Sequence, residues 1–276
     1  MYQCPLCQLP LLFEPTSPAT SHAASYRCSN RHQFDCAKEG YVNLLPVQHK
    51  KSREPGDNLE MMQARRHFLE AGHYQPLATS ILQLLTQKLA KDAVIVDIGC
   101  GEGWYTQQLT RLSAHVYGLD ISKVAVRYAA KKYPALQCCV ASSYQLPYQD
   151  ASIDAILRIY APSLASELVR VLKAEGLLLT VTPAPLHLYE LKEKVYTDVR
   201  LHSDEVNTEA GLQHCHRQRL QWQWQAPDAA TLTLLMDMIP LSYRLTPAMR
   251  AELCQQLPPL TLDFYLDIYQ KTTPSV

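Results

Sequence analysis

The chain has 276 residues, 47% hydrophobic and 19% charged, with a formal net charge of zero. That is enough for one large domain plus something small, with a full core built without disulfides. Zero net charge excludes a global field that draws the molecule to a polyanion or a membrane, so such a partner has to be met by local patches.

The start, Met1-Tyr2-Gln3-Cys4-Pro5, lacks the basic and apolar pattern of a signal peptide. No later stretch approaches the ~20 apolar residues that cross a bilayer. The expected location is cytoplasmic, where cysteines are thiols or metal ligands. Four of the nine lie within residues 1–36, which are rich in Pro and Ser and lack a helical period, so turns and short strands are expected. Cys4 and Cys7 are spaced by two residues, and Cys28 and His32 by three. This three-cysteine, one-histidine set has the spacing of a structural zinc site with no open position. Cys36 and His22 are alternative ligands. Asn30-Arg31 can supply the second turn.

Residues 37–75 read as a basic connector and a helix. Lys50, Lys51 and Arg53 are candidate phosphate contacts. Met61, Met62, Ala64, Phe68 and Leu69 then fit one helical face that stops near Gly72, with Arg65 and Arg66 as further phosphate candidates. Residues 76–276 form the main domain. Leu77, Ile81, Leu84, Leu85 and Leu89 mark a second helix. Strands at 94–98, 115–120, 138–140, 153–159 and 177–181 alternate with helices at 105–113, 122–132 and 165–172, which implies a doubly wound, mostly parallel sheet. After Pro183 the alternation breaks down, and the tail adds strands and a helix.

Asp97-Ile98-Gly99-Cys100-Gly101-Glu102-Gly103 directly follows the first of these strands. Glycines there let backbone turn tightly against a ligand. Asp97 and Glu102 make the loop poor for a pyrophosphate and suited to a cation with a free ammonium, such as the amino-acid end of S-adenosylmethionine. Asp120 ends the second strand at nearly the interval of a ribose-binding carboxylate. Ser142, after the third, can meet an adenine edge. The fourth strand runs into Tyr160-Ala161-Pro162, at the acceptor edge of such folds. Tyr160 either stacks on a flat base or packs in the core. The Asn- or Asp-Pro-Pro-Tyr motif of amino-methylating enzymes is missing, which is compatible with methylation at a ring nitrogen.

Residues 93–181 resemble class I (Rossmann-like) methyltransferases, with a seven-stranded sheet expected. From Cys4 to about residue 195 the chain resembles the RlmA-type 23S ribosomal RNA (guanine-N1)-methyltransferases. The resemblance rests on Cys4-Pro5-Leu6-Cys7, His32 to Pro46, Met61-Met62-Gln63-Ala64-Arg65-Arg66, Gly72-His73-Tyr74, Arg158 to Pro162, and Thr182-Pro183 to His187-Leu188. It implies a zinc ribbon on Cys4, Cys7, Cys28 and His32 that recognises RNA. It implies donor contacts from Tyr74, Gly101, Glu102 and His187, which join Asp97, Gly99, Asp120 and Ser142 as read above from the loop and the strand ends. It also implies a homodimer, and a target in a 23S RNA hairpin, guanine 745 in the enterobacterial type. Guanine N1 carries a proton, so a base or hydrogen-bond acceptor should help. His187, Tyr160, Asp154 and Glu190 are the catalytic candidates, and His187 is equally readable as structural. The ribbon is expected to be separable, so that its loss leaves donor affinity nearly intact. A small-molecule methyltransferase is the alternative reading. A zinc-ribbon RNA-binding protein with an inactive methyltransferase domain is a further one, disfavoured by the intact glycine loop.

Overall fold

The computed structural model describes residues 1–16, 24–46 and 58–272. His22, Lys50, Lys51 and Arg53 lie outside them. The ribbon holds a three-stranded antiparallel sheet of β1 (Leu12–Glu14), β2 (Ser25–Arg27) and β3 (Gln33–Asp35). The main domain is one eight-stranded sheet. Its parallel part comprises β4 (Val42–Asn43), β5 (Ile95–Ile98), β6 (Val116–Asp120), β7 (Gln137–Val140), β8 (Ile153–Ile159) and β9 (Leu172–Pro183). Two long antiparallel strands, β10 (Leu212–Trp224) and β11 (Leu260–Lys271), complete it. The order is β10-β11-β9-β8-β5-β6-β7-β4.

Seven strands were expected, and the described residues form eight. The extra one, β4, comes from the connector and adds itself beside β7, with Val42 opposite Cys139. The apolar runs of the tail divide by length and period. The run at 231–241 mostly forms α7 (Ala229–Met238), capped by the Asp228 side chain, whereas 260–268 lies in β11, which is buried on both faces from Leu260 to Tyr269.

β5 lies centrally because all four of its residues are apolar or paired and buried. Strand order departs in opposite directions on its two sides, towards β6 and towards β8. The crevice beyond the carboxyl ends of β5 and β8 is therefore the switch point where open α/β sheets bind ligands. Helices α1 (Leu59–Glu70) and α2 (Gln75–Thr86) precede β5, and α3 (Trp104–Leu109) starts from its glycine loop. The helix α4 (Lys123–Lys132) follows β6, α5 (Ala165–Val171) joins β8 to β9, and α6 (Tyr189–Val195) follows β9.

The ribbon does not hang free. Gln3 N–H donates to Pro147 O (2.9 Å), and Gln149 N–H donates to Met1 O (3.0 Å). Tyr2 is buried, stacks on Tyr148 at 5.6 Å, and meets Tyr117 and Tyr26 edge-on. Ribbon, connector and sheet thus share one apolar cluster.

Candidate functional site

Two local left-handed residues shape the ribbon's metal site. Gln8 (φ 61°) follows the first cysteine pair, and Arg31 (φ 63°) sits inside the second knuckle. Arg31 N–H donates to Cys28 O, and Cys28 N–H to His32 O, which closes the turn expected at Asn30-Arg31. The outcome is convergence: the ligand atoms of Cys4, Cys7, Cys28 and His32 all lie within 4.8 Å of one another. Cys4 Sγ and Cys28 Sγ stand 3.4 and 3.5 Å from His32 Nδ1, and Cys7 Sγ stands 3.6 Å from Cys28 Sγ. A tetrahedral zinc with bonds of about 2.0–2.3 Å needs ligand–ligand edges of roughly 3.3–3.8 Å. A disulfide needs about 2.05 Å. The residues fit zinc. Cys36 is not in the cluster; its backbone bridges to Val42 instead.

The second site is the loop after β5. Gly99, Gly101 and Gly103 have φ of 73°, 54° and 80°, values that side chains adopt only with strain. At Gly99 space is also decisive, since an added Cβ would stand 2.5 Å from Ala161 Cβ. The glycine loop and the Tyr160-Ala161 turn are therefore pressed together. Asp97 is buried and accepts from Thr106 Oγ1 at 2.6 Å. Burial pushes its carboxyl up to about 7, the Thr106 hydrogen bond opposes this, and the nearby Asp120 charge adds to it. Asp120 is aimed by the backbone, Oδ2 taking Gly101 N–H (2.9 Å) and Oδ1 taking Ser122 N–H (2.8 Å). Ser142 Oγ accepts from Tyr144 N–H in the turn after β7. The loop thus offers one buried carboxyl (Asp97), the partly exposed carboxylate of Asp120 and close-set backbone, a donor set that fits a ligand carrying an ammonium and a ribose. Glu102 is held by Arg66, whose Nε donates to Oε2 at 2.8 Å and whose Nη2 donates to Oε1.

A third group of residues assembles around Phe264 of β11, which is fully buried. Tyr74, Tyr160, His187 and Trp222 all place their rings against it, with centroids at 5.5, 6.5, 4.6 and 5.5 Å. Tyr160 is half-exposed and has φ 53°, an outlier conformation for a bulky residue. About half of the residue is open while its ring lies against Phe264, so Tyr160 lines the site and also touches its aromatic wall. Neither Phe264 nor Trp222 was legible as a site residue, because antiparallel pairing brings them here, Phe264 of β11 opposite Pro183 of β9 and Trp222 of β10 opposite Leu262 of β11.

His187 accepts a hydrogen bond at Nδ1 from Asp263 N–H (3.3 Å). Burial, with His202 and Lys192 nearby, drives its pKa down to about 3. The ring is thus neutral, and because Nδ1 faces a donor its proton sits on Nε2. His187 thus offers a donor at that atom. Asp154 falls elsewhere. It begins β8, at the opposite end of the sheet, where it accepts from Val94 N–H and pairs with Lys173, lining a 490 Å³ cavity remote from the glycine loop. Glu190 accepts from Thr261 N–H and Oγ1, which pins β11 to α6. Arg65 donates to Met238 O.

The RlmA N-terminal family of zinc ribbons matches residues 2–53, and a methyltransferase-domain family matches residues 96–180. A Micromonospora griseorubida protein provisionally named a 23S rRNA (guanine-N1)-methyltransferase is 33% identical, over 79% of this chain and 80% of its own. A Bacillus subtilis protein of the same provisional name is 30% identical, over 97% of this chain and 95% of its own. A Streptomyces fradiae protein named 23S rRNA (guanine(748)-N1)-methyltransferase is 35% identical, over 68% of this chain and 65% of its own. A methyltransferase structure from Bacillus halodurans shares the fold, with a TM-score of 0.52 at 16% identity, over 71% of this chain and 99% of the other. The chain belongs to the RlmA-type family of 23S rRNA (guanine-N1)-methyltransferases.

Proposed function

We propose that the chain transfers a methyl group from S-adenosylmethionine to N1 of a guanine in a 23S RNA hairpin. The 745-type position is proposed over the 748-type position for which one relative is named. The observation that carries this reading is the coexistence, in one continuous core, of the zinc-fitting ribbon and the Asp97–Gly103 loop. A small acceptor needs no ribbon. The proposed homodimer and cytoplasmic location accompany this reading; among the described residues no helix is long and apolar enough to cross a membrane.

The donor, when bound, supplies an electrophilic methyl group on a sulfonium. Asp97, Glu102 and Asp120 line the loop as its carboxylates, and the Gly99–Gly103 backbone gives close approach. Tyr160, held out by its left-handed backbone, is the stacking platform for an unstacked base. His187, a fixed neutral donor, suits an oxygen that gathers negative charge as guanine loses its N1 proton. That proton passes to solvent water. Alignment is the main requirement of such an in-line transfer, and the contact of Gly99 with Ala161 keeps the two loops in register. Primer extension on 23S RNA from cells lacking the protein tests the proposal. A lost N1-methylguanosine stop, restored by the gene, supports it; a stop that persists refutes it.

A further inference from the structure

Arg66 reads from the sequence as a phosphate contact, yet it points into the donor loop. It projects from α1, outside the generic methyltransferase fold, and its guanidinium lies 3.6 Å over the Tyr128 ring. Its Nε–Nη2 edge grips Glu102. The two side chains are only 20% and 12% exposed, so the pair is mostly withdrawn from water yet has an open edge. A guanidinium carries five N–H donors. Glu102 engages one edge, and among the described residues no acceptor meets Nη1.

The amino-acid end of the donor is a zwitterion, and a lone carboxylate satisfies only its ammonium. We infer that Arg66 is a donor-binding residue that receives the α-carboxylate while Glu102 receives the ammonium, so that the pair selects a ligand with an intact amino-acid end. Stacking on Tyr128 fixes the plane of the fork, which is what bidentate carboxylate recognition needs. This rests on the proposal that the loop holds S-adenosylmethionine.

The test is calorimetric binding to the full-length chain of three ligands: S-adenosylhomocysteine, its decarboxylated analogue, and 5′-methylthioadenosine, which lacks the whole amino-acid end. Arg66→Gln is expected to weaken S-adenosylhomocysteine about tenfold or more, the scale of a charge-assisted hydrogen bond. It should leave methylthioadenosine unchanged and leave the decarboxylated amine unchanged or tighter, since Glu102 is then uncovered. Arg66→Lys, which keeps a charge opposite Glu102, should fall between and serves if the Gln variant unfolds. Equal losses for all three ligands mean a purely structural ion pair and overturn the inference. Wild-type protein that binds none of the three overturns the donor reading itself, and the inference with it.

Discussion

Asp97→Asn should flatten part of the protein's pH dependence of stability. In the folded chain the carboxyl is pushed up to about 7, chiefly by burial; unfolded, it returns to the ordinary value near 3.9. Between those values the unfolded chain has lost the proton that the native chain keeps, so the native state loses stability as pH rises, and the loss levels off above about 7. At 1.36 kcal/mol per pKa unit the full penalty is about 4 kcal/mol, of which roughly 2.5 kcal/mol accrues between pH 5 and pH 8. Asn keeps an oxygen for Thr106 Oγ1 but has no charge to bury. Urea unfolding of both proteins at the two pH values isolates the effect, because His187 and the other groups titrate alike in each. The variant should gain roughly 2.5 kcal/mol on wild type between pH 5 and pH 8. Parallel stability curves refute the assignment of a near-neutral carboxyl at this position. Donor binding adds a second reading, since an arriving cation draws the proton off: calorimetry at pH 7 in buffers of different ionisation enthalpy should show proton release that the Asn variant lacks.

Gly99→Ala places a methyl 2.5 Å from Ala161 Cβ on a φ of 73°, so chemical unfolding should show a loss of about 1–3 kcal/mol, with methyl transfer impaired even where the protein folds. Tyr160→Ala should lower kcat/KM for RNA by about 5- to 150-fold, the worth of one base stack, with donor affinity unchanged; Tyr160→Phe should stay near wild type. His187, held down to about 3, resists protonation when folded but accepts it near 6.5 when unfolded, so stability falls as pH drops from 6.5 towards 3; in His187→Asn that part of the acid sensitivity should vanish from unfolding curves. Zinc chelation should lower the temperature of a single calorimetric transition, because Tyr2 belongs to the main core; two separate transitions would show an independent ribbon.

What was legible in the sequence is what is encoded locally. The glycine loop, Asp120 and the four zinc ligands owe their positions to a few neighbouring residues, and the structure brings them together. The tail after Pro183 was unreadable because β11 takes its place only through antiparallel pairing with β9, and with it Phe264 enters the site. Asp154 misleads for a simpler reason. It opens a parallel strand, and the first residue or two of such a strand face away from the ligand edge, however near its last residues come. Arg66 is one of two adjacent arginines on a helix, and nothing in its neighbours announces Glu102. The ribbon reads as separable because its partners, Pro147 and Tyr148, are far along the chain.

That distance sets an order of events on the ribosome. The four ligands are complete once His32 has emerged, so the knuckles can close on their metal at once. The seat for Tyr2 does not exist until Tyr148 follows, about 116 residues later, which at typical synthesis rates is roughly 6–23 s. Until then Tyr2 lacks its aromatic partner, and the metal reinforces what the three-stranded sheet of the ribbon holds. Zinc present during translation is then expected to raise the yield of folded chain more than zinc added afterwards.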